Sequence, residues 1–434
     1  MNAMSRVIVI GGGITGAGIF KACAEAGLRA LLIEKDETGG RTTLSSSGLI
    51  HGGLRYLPYD AHTTAECCRE ARRVREFAGD LLSRQVFLWP VYQGQTLGLN
   101  LVESLMERYD DLAPLKSGKP HVRLNAKETL TIEPSLNPSG LLGAITFDEW
   151  RVEPGRLVEK NIELAQKLGG QVLAKRKVTG IKAGPGKKIR VETSHEGRNE
   201  TLEAAMVINA TGPWAAQTAL MAGSDKVRLE HRKGAHLVMP NQGVRHGVLF
   251  PDRAGRYIGA YPRDNEIWIG PTDDPLDKQR GNDPLDHPSV TDEEKDRLIE
   301  AAKTIFPKLN FSQTRFTAGV RPILAQKGSP SLFSRDYQIF DHEALDGIAG
   351  LITVTGGKMT IYRLMAEETL ALVRSKLEGR QLRRATQGLS DLSRLLRMAG
   401  SVVLLAFSWL RHWARRLSGR TRNGLALFKA TYET

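Results

Sequence analysis

The fold is decided by the stretch from Val7 to Gly16, VIVIGGGITG, read together with Glu34 at the end of ALLIE (residues 30–34). An apolar run of strand length meets glycines spaced G-x-G-x-x-G. A helix-length segment follows as far as Gly27, and a second apolar run then stops at an acid. This order predicts a βαβ unit in which the glycines let a pyrophosphate approach the start of the helix. Glu34 is expected to accept hydrogen bonds from ribose hydroxyls. The segment therefore predicts a dinucleotide site, whereas a plain glycine-rich turn would leave the acid unexplained.

Length and composition fit a cytoplasmic globular protein of two domains. The chain has 434 residues, of which 41% are apolar and 25% charged. Its three cysteines, Cys23, Cys67 and Cys68, form no C-x-x-C pattern, so we expect neither a zinc nor an iron–sulfur site and assign them to structure. The glycines and the acid after the first apolar run argue against a signal peptide.

Positive charge is concentrated at the C-terminus. The segment from Arg374 to Thr434 holds 13 lysines and arginines but 3 acidic residues, which accounts for +10 of the net charge of +13. The rest of the chain is close to neutral and carries no zinc finger or stacking platform. Nucleic-acid binding is therefore not expected.

Periodicity predicts several further elements. We expect helices over residues 62–78, 156–168 and 359–377, and one that begins at Thr291 with Glu294 completing a capping box. We expect a meander of strands at 172–173, 178–181 and 189–192, and β-patterned or loop segments from 79 to about 150.

The βαβ-type segments are separated by β-rich stretches, which predicts an α/β fold of interleaved domains. A Rossmann-like cofactor domain is expected to alternate with a β-rich substrate domain. The predicted boundaries are 1–84, 151–228 and 318–378 for the cofactor domain, 85–150 and 229–317 for the substrate domain, and 379–434 for a basic, helical C-terminal tail.

A series of blocks in this order resembles the FAD-dependent glycerol-3-phosphate dehydrogenases, within the amino-acid-oxidase-like flavoproteins. After the opening unit come SSSGLIHGGLRY (45–56), VINATGPW (207–214), KGAH (233–236), IGPTD (269–273), GVRP (319–322), SRDY (334–337) and TGGKMTIYR (355–363). The resemblance implies FAD as cofactor and oxidation of sn-glycerol 3-phosphate to dihydroxyacetone phosphate. A hydride would pass to flavin N5, and a membrane quinone would accept the electrons.

The chain departs from the family pattern at several points. Gly48 stands where a lysine is usual, Pro271 interrupts the usual Gly-Thr-Thr-Asp, and the segment after residue 378 does not resemble the family's C-terminal extension. With glycine at position 48, the chain is expected to lack one basic group that the family pattern has near the flavin or substrate.

The cofactor residues that the resemblance and the βαβ pattern predict share a position beside glycine turns or at strand ends. They are Gly11, Gly13, Ile14, Thr15, Gly16, Glu34, Lys35, Ser45, Ser46, Ala210, Gly212, Gly357, Lys358, Met359 and Thr360. Lys358 follows a Gly-Gly turn that opens a helix, where positive charge would stabilise the reduced flavin.

The resemblance implies a small dianionic substrate, which needs cations for its phosphate. Arg55 and Arg321 fit this role because a guanidinium binds phosphate oxygens in pairs. Tyr56, Thr272 and Lys358 are the further predicted substrate contacts. Each of these residues also has an ordinary structural interpretation, such as a surface ion pair.

The base that takes the alcohol proton is left open. His51 and His236 are the candidates, since a neutral imidazole accepts a proton near pH 7. A water held by an arginine is a further alternative. Arg321, His51, Lys358 and His236 make up the predicted catalytic set.

The tail contains 13 residues without charge, Met398 to Leu410, between arginines. This run is short for a spanning helix and favours an interfacial one, with Trp409 and Trp413 at the headgroups and arginines near anionic lipid. We expect a peripheral or monotopic enzyme at the cytoplasmic face of the inner membrane. A helix packed on the protein body is the alternative, and a homodimer is left open.

Two other functions compete with the main hypothesis. A related flavin oxidase or dehydrogenase of a 2-hydroxy acid or amino acid would use the arginines for a carboxylate. A low-turnover flavoprotein subunit would bind FAD without being reduced by substrate.

Overall fold

Two large sheets share the chain in alternating segments, and a smaller three-stranded sheet accompanies them in the described residues. The computed structural model describes residues 6–184, 188–276, 283–325, 337–379, 391–418 and 423–433. The expected α/β fold, in which a Rossmann-like sheet is interleaved with a β-rich part and followed by C-terminal helices, is confirmed. The domain boundaries stay predictions.

The strands are, in chain order, β1 Arg6–Ile10, β2 Arg29–Ile33, β3 Leu49–Ile50, β4 Leu82–Tyr92, β5 Arg123–Asn125, β6 Leu141–Val152, β7 Gln171–Leu173, β8 Lys177–Ala183, β9 Ile189–His195, β10 Arg198–Ala204, β11 Met206–Asn209, β12 Leu229–Pro240, β13 Gly247–Pro251, β14 Tyr257–Arg263, β15 Glu266–Gly270, β16 Asp274–Pro275, β17 Arg315–Leu324, β18 Tyr337–Asp341 and β19 Leu351–Gly356.

The helices are α1 Ile14–Glu25, α2 Ala61–Ala78, α3 Leu99–Asp110, α4 Ala126–Ile132, α5 Pro154–Lys167, α6 Ala215–Met221, α7 Asp292–Ile305, α8 His342–Asp346, α9 Tyr362–Leu377, α10 Asp391–Leu417 and α11 Leu425–Tyr432. The capping box predicted at the start of α7 is present, with Thr291 and Glu294 exchanging side-chain and backbone hydrogen bonds.

The cofactor sheet has the order β18-β19-β11-β1-β2-β7 among the described residues, and only β18 runs antiparallel to its neighbour. Apolar side chains of β1, such as Val7 and Val9, are fully buried in a core that α1, α5 and α9 also line. Because parallel strands end at one edge, the loops after β1, β11 and β19 meet there. This edge carries the glycine loop.

The second sheet has the order β16-β12-β15-β14-β13-β4-β6-β3 over the described residues, with β17 on β12 and β5 on β6. Strand β12 pairs with the whole of β17 through its first ten residues, placing Arg232 opposite Arg321 and His236 opposite Thr317. This pairing sets the KGAH and GVRP blocks side by side, although more than 80 residues separate them in the chain.

The sequence prediction was wrong in two places. The stretch from 79 to about 150 contains α3 and α4 as well as strands. The capping box of Asn125 and Glu128 at the start of α4 is the sequence signal for this helix. Strand β7 pairs parallel with β2 rather than joining the meander, which consists of β8, β9 and β10. The reason is that α5 acts as a crossover helix and returns the chain to the parallel sheet.

The C-terminal helices fold back on the body. α10 lies along α3, where Ser408 Oγ donates to the carbonyl of Ser104 at 2.9 Å and His412 is fully buried. α11 inserts the buried Phe428 into the core of the second sheet. No helix among the described residues combines the length and apolarity that crossing a membrane requires.

Candidate active site

A cavity of about 480 Å³ is lined by residues from both sheets. The cofactor sheet contributes the loops after β1, β2, β11 and β19, and the second sheet contributes β12 and β17. Its volume falls in the range of small-molecule and cofactor sites. The cavity therefore joins the predicted cofactor loop to the predicted substrate residues.

The glycine loop has no room for side chains. A Cβ on Gly16 would lie 1.8 Å from the carbonyl oxygen of Gly11, and one on Gly11 would lie 2.6 Å from that of Ala210. α1 begins at Ile14 after Gly13, with no side-chain cap and no acid in its first turn. Helix N-termini of this kind bind phosphate through backbone N–H groups and the helix dipole. The residues present therefore fit a pyrophosphate.

Glu34 is fixed at the end of β2 and lines the cavity. Its carboxylate accepts from the backbone N–H groups of Gly12 at 2.6 Å and Asp36 at 2.9 Å. A carboxylate has further lone pairs, so ribose hydroxyls can still donate to it. Lys35 also lines the cavity, but its ammonium pairs with Asp286 and lies 3.8 Å from the ring centre of Trp214.

The other predicted cofactor residues fall into two groups. Those that line the cavity are Gly11, Gly13, Ile14, Thr15, Ser45, Ser46, Ala210, Gly212, Gly357, Lys358 and Met359. Gly16 and Thr360 do not line it. Gly16 serves the close packing described above, and the Thr360 hydroxyl accepts from the backbone N–H of His51 at 3.0 Å and lies 3.3 Å from its carbonyl oxygen. Thr360 therefore braces the histidine turn.

Arg321 is held from behind by backbone carbonyls. Its guanidinium donates to the carbonyl of Thr272 at 3.0 Å and to that of Lys233 at 3.2 Å, and it lies 3.3 Å from Asp273 Oδ1. The side chain is 19% exposed and lines the cavity. Fixed carbonyl partners orient a guanidinium without removing its net charge, so Arg321 presents a directed cation.

Arg55 and Thr272 lie outside the cavity lining. Arg55 is 57% exposed, and its guanidinium lies 4.0 Å from Asp273, the same carboxylate that Arg321 contacts. The Thr272 hydroxyl accepts from the N–H of Ala235 at 3.0 Å and faces Glu294 at 3.4 Å. The hydroxyl thus joins β12 to α7, and we do not retain Thr272 as a proposed substrate contact.

His51, Tyr56 and Lys358 line the cavity together. The Lys358 ammonium lies 4.7 Å from the ring centre of Tyr56, a cation–π contact. Tyr56 belongs to a 3₁₀ turn, Leu54–Tyr56, which follows Gly53 in the left-handed region at φ 79°. The turn thus brings a hydroxyl-bearing ring and an imidazole beside a cation.

Comparison with known proteins agrees with this geometry. Residues 6–369 match the model of the FAD dependent oxidoreductase family. The aerobic glycerol-3-phosphate dehydrogenase of Bacillus subtilis (strain 168) is 33% identical over 382 residues, which cover 86% of this chain and 67% of the relative. The chain belongs to the FAD-dependent glycerol-3-phosphate dehydrogenase family. It is therefore an FAD-dependent oxidoreductase, and the cofactor prediction is confirmed.

A second relative and two solved structures are also similar to this chain. The aerobic glycerol-3-phosphate dehydrogenase of Staphylococcus aureus (strain USA300) is 32% identical over 385 residues, with the same coverage. The glycerol-3-phosphate dehydrogenase from Bacillus halodurans, solved with FAD, is 27% identical with a TM-score of 0.66 over 92% of this chain and 68% of that one. The L-alpha-glycerophosphate oxidase of Mycoplasma pneumoniae, at 22% identity, TM-score 0.68 and coverage of 86% and 95%, shares the fold.

One departure from the family pattern has a backbone cause. Gly48 has φ 69°, and a Cβ there would lie 2.6 Å from the carbonyl oxygen of Val152. The Gly48 carbonyl in turn accepts from the Val152 N–H at 2.8 Å. A lysine would be strained in this conformation and would break the contact with β6. Residues 334–336 of the family block SRDY lie outside the described residues.

His236, the second base candidate, is fully buried against Trp268, with ring centres 5.5 Å apart. Neither ring nitrogen has a hydrogen-bond partner among the described residues. Burial, with the charges of Arg321 and Arg263 in support, lowers the pKa of His236 to about 3. Such an imidazole stays neutral and is a poor proton acceptor, which leaves His51 and a water held by an arginine as the candidate bases.

Sequence reasoning missed the groups that support the site. Asp273 was quoted in a motif without a role, yet Arg55, Arg232 and Arg321 all approach it. Glu149 was not singled out, although its carboxylate accepts from the Gly52 N–H at 2.8 Å. The three charged residues in DEWR (148–151), within a strand of otherwise apolar character, were the available signal.

Proposed function

We propose that this enzyme oxidises sn-glycerol 3-phosphate to dihydroxyacetone phosphate and passes the electrons to a membrane quinone. The observation that carries the proposal is that two cations, Arg321 and Lys358, share one cavity with His51 and the pyrophosphate loop. Relatives named for this substrate support it. When bound, FAD supplies the hydride acceptor at its N5 position.

The phosphate is the natural partner of the arginines. Arg321 is fixed by carbonyls and presents its charge to the cavity, while the more exposed Arg55 lies 4.0 Å from the other carboxylate oxygen of Asp273. Charge-assisted bonds from guanidinium to phosphate are among the stronger contacts in proteins. In our proposal Arg321 binds the substrate directly and Arg55 closes on its phosphate.

The substrate alcohol must lose a proton as its carbon loses a hydride. His51 is our proposed base, since its turn borders the cavity and its backbone is braced by Thr360. Tyr56 and Lys358 orient the hydroxyls from the same side. His236 forms a neutral wall, because a base with a pKa of about 3 leaves little driving force for taking the proton.

The direct test is anaerobic absorbance of the bound flavin. Addition of sn-glycerol 3-phosphate to the purified enzyme should bleach the flavin within seconds, whereas glycerol, lactate and glycerate should not. Equal bleaching by lactate or glycerate would favour the 2-hydroxy acid alternative. A yellow protein that none of these compounds reduces would favour the low-turnover subunit.

We further propose that the enzyme sits at the cytoplasmic face of the inner membrane, bound through α10. The buried face of this helix is polar and includes Ser401, Ser408 and His412. Its exposed face is apolar and includes Phe407 at 66% and Leu410 at 65% exposure. This pattern is the reverse of that in an ordinary surface helix, and large exposed apolar faces mark interaction sites.

Three arginines near the end of α10 pair with acidic side chains of the protein, whereas the sequence analysis predicted that they would attract anionic lipid. Arg411 pairs with Asp111 at 2.9 Å, Arg416 with Glu103 at 3.3 Å, and Arg415 lies 3.8 Å from Glu107. Their charges are therefore largely compensated by α3 and its end. In this proposal apolar insertion supplies most of the membrane affinity, and anionic lipid adds little. A second copy of the chain is the competing occupant of this face.

A further inference from the structure

A buried charged cluster lies behind the turn that carries His51. It consists of Glu149 on β6, Tyr109 at the end of α3 and Lys116 in the 3₁₀ turn Ala113–Lys116, all less than 5% exposed. The Tyr109 hydroxyl donates to Glu149 Oε1 at 2.6 Å, and the Lys116 ammonium lies 3.3 Å from Glu149 Oε2 and 3.3 Å from the Tyr109 hydroxyl. None of the three lines the cavity.

The cluster holds one particular peptide unit. The N–H of Gly52 donates to Glu149 Oε2 at 2.8 Å, and the carbonyl of His51, at the other end of the same peptide, faces the Thr360 hydroxyl at 3.3 Å. The next carbonyl, that of Gly52, lies 3.4 Å from Cys68 Sγ. The plane of the His51–Gly52 peptide is therefore fixed from both sheets.

There is no space for a side chain at Gly52. A Cβ at this position would lie 2.2 Å from the Tyr109 hydroxyl, 2.9 Å from Cys68 Sγ and 3.0 Å from Lys116 Cδ. Burial and the neighbouring Glu149 charge raise the pKa of Tyr109, so the phenol stays protonated and donates. Burying a carboxylate is costly unless several donors satisfy it, and here the backbone N–H, the phenol and the ammonium do so.

We propose that Glu149, oriented by Tyr109 and Lys116, is a positioning residue that sets the His51 imidazole and the Tyr56 ring at the reacting end of the cavity. The cluster acts on the peptide that follows the proposed base, because Glu149 accepts a hydrogen bond from the Gly52 N–H. The proposal rests on the proposed function for its kinetic readout, but not for its spectroscopic one. Placement errors of about 1 Å in such a turn are enough to cost about 100-fold in rate.

The test compares Tyr109→Phe with Tyr92→Phe in the FAD-loaded enzyme. Tyr109→Phe keeps the ring and removes the bond to Glu149. Tyr92→Phe removes one partly buried hydroxyl that donates to the carbonyl of Asn137 at 3.1 Å, away from the cavity, and so controls for the loss of a tyrosine hydroxyl elsewhere in the fold. We expect kcat/KM for sn-glycerol 3-phosphate to fall about ten-fold or more in Tyr109→Phe, mainly through kcat, with a changed flavin absorption band. Tyr92→Phe should stay within two-fold of wild type.

A second pair of variants tests the acceptor itself. Glu149→Gln keeps an oxygen for the Gly52 N–H and should retain at least ten-fold more kcat/KM than Glu149→Ala. Wild-type kcat/KM and flavin spectrum in Tyr109→Phe would overturn the proposal. If the wild-type flavin is not reduced by sn-glycerol 3-phosphate, the proposed function fails, and the flavin absorption band of Tyr109→Phe against Tyr92→Phe still decides the positioning role.

Discussion

The guanidinium of Arg321 lies directly over the backbone of Gly234, so that a Cβ at Gly234 would come within 2.2 Å of Nη2 and 2.5 Å of Cζ. The two residues lie on the paired strands β17 and β12. The missing side chain at Gly234, in the KGAH block, therefore leaves the space that the Arg321 guanidinium occupies.

Gly234→Ala should displace this guanidinium while leaving the fold intact, because the clash falls on the end of a flexible side chain. We expect KM for sn-glycerol 3-phosphate to rise at least ten-fold, with FAD affinity within two-fold of wild type. Steady-state kinetics and FAD titration of the apoprotein measure both quantities. An unchanged KM would mean that Arg321 does not hold the substrate.

Arg321→Ala removes the cation itself. We expect a loss of about 3 kcal/mol of transition-state binding, or about 100-fold in kcat/KM, the range for losing one partner of a buried charge pair. Arg315→Ala is the matched control, because Arg315 lies on the same strand but pairs with Glu266 at the surface, where such pairs contribute little. Equal kinetics in the two variants would remove Arg321 from the site.

His236 should make stability depend on acid pH. Its pKa is about 3 in the fold against an ordinary value of 6.5, so the unfolded chain binds a proton that the folded chain does not. Stability from this site is complete above pH 6.5 and is lost as pH falls towards 3, by about 1.4 kcal/mol per pH unit. Urea unfolding of the holoenzyme between pH 7 and 4.5 should show a shallower pH slope for His236→Asn. Parallel slopes would contradict the burial argument. His342, whose pKa burial also lowers, acts equally in both proteins and cancels in the comparison.

Charges on the exposed face of α10 should abolish membrane binding. Phe407→Glu with Leu410→Glu is expected to leave flavin reduction unchanged and to lower cosedimentation with phosphatidylglycerol vesicles at least ten-fold. Leu168→Glu, at a site 56% exposed on the body, is the control and should bind like wild type. Phosphatidylcholine vesicles should bind nearly as well as anionic ones. Wild-type dimers that these charges dissociate, without any vesicle binding, would identify a second copy as the occupant instead.

Restoring the family's usual lysine at position 48 should harm the enzyme. Gly48→Lys combines a strained φ of 69° with a clash against the Val152 carbonyl, and we expect a stability loss of about 2 kcal/mol or more. Gly27→Lys has a similar φ of 74° with nothing within 4 Å of its Cβ, so it isolates the cost of the backbone conformation. Equal melting temperatures for the two variants would mean that β6 yields to the side chain.

The sequence predicted best those parts of the site whose residues lie close together in the chain. The glycine spacing and Glu34 predicted the cofactor loop because a βαβ unit is contiguous in the chain. Arg321, His51 and Lys358 were found through motifs, and the cavity brings them together. Their chemical roles stay predictions.

The sequence did not reveal contacts between residues that are far apart in the chain. Glu149 contacts Gly52 across 97 residues, and nothing in either segment indicates the other. Thr272, in the IGPTD block, was predicted to contact the substrate, but its hydroxyl faces Glu294 of α7. Thr272 lies between β15 and β16, and its direction is set by its hydrogen bonds with Ala235 of β12, which the motif does not reveal.

The interleaving of the two sheets has a consequence for biosynthesis. β1 is complete at Ile10, but its neighbour β11 ends at Asn209, and β19, which flanks β11, begins at Leu351. At translation rates of about 5–20 residues per second, roughly 20 to 70 s separate the synthesis of β1 from that of β19. The growing chain therefore cannot complete the FAD site until β19 has been synthesised. FAD loading is therefore expected to follow the synthesis of β19 and to depend on the supply of free FAD at that time.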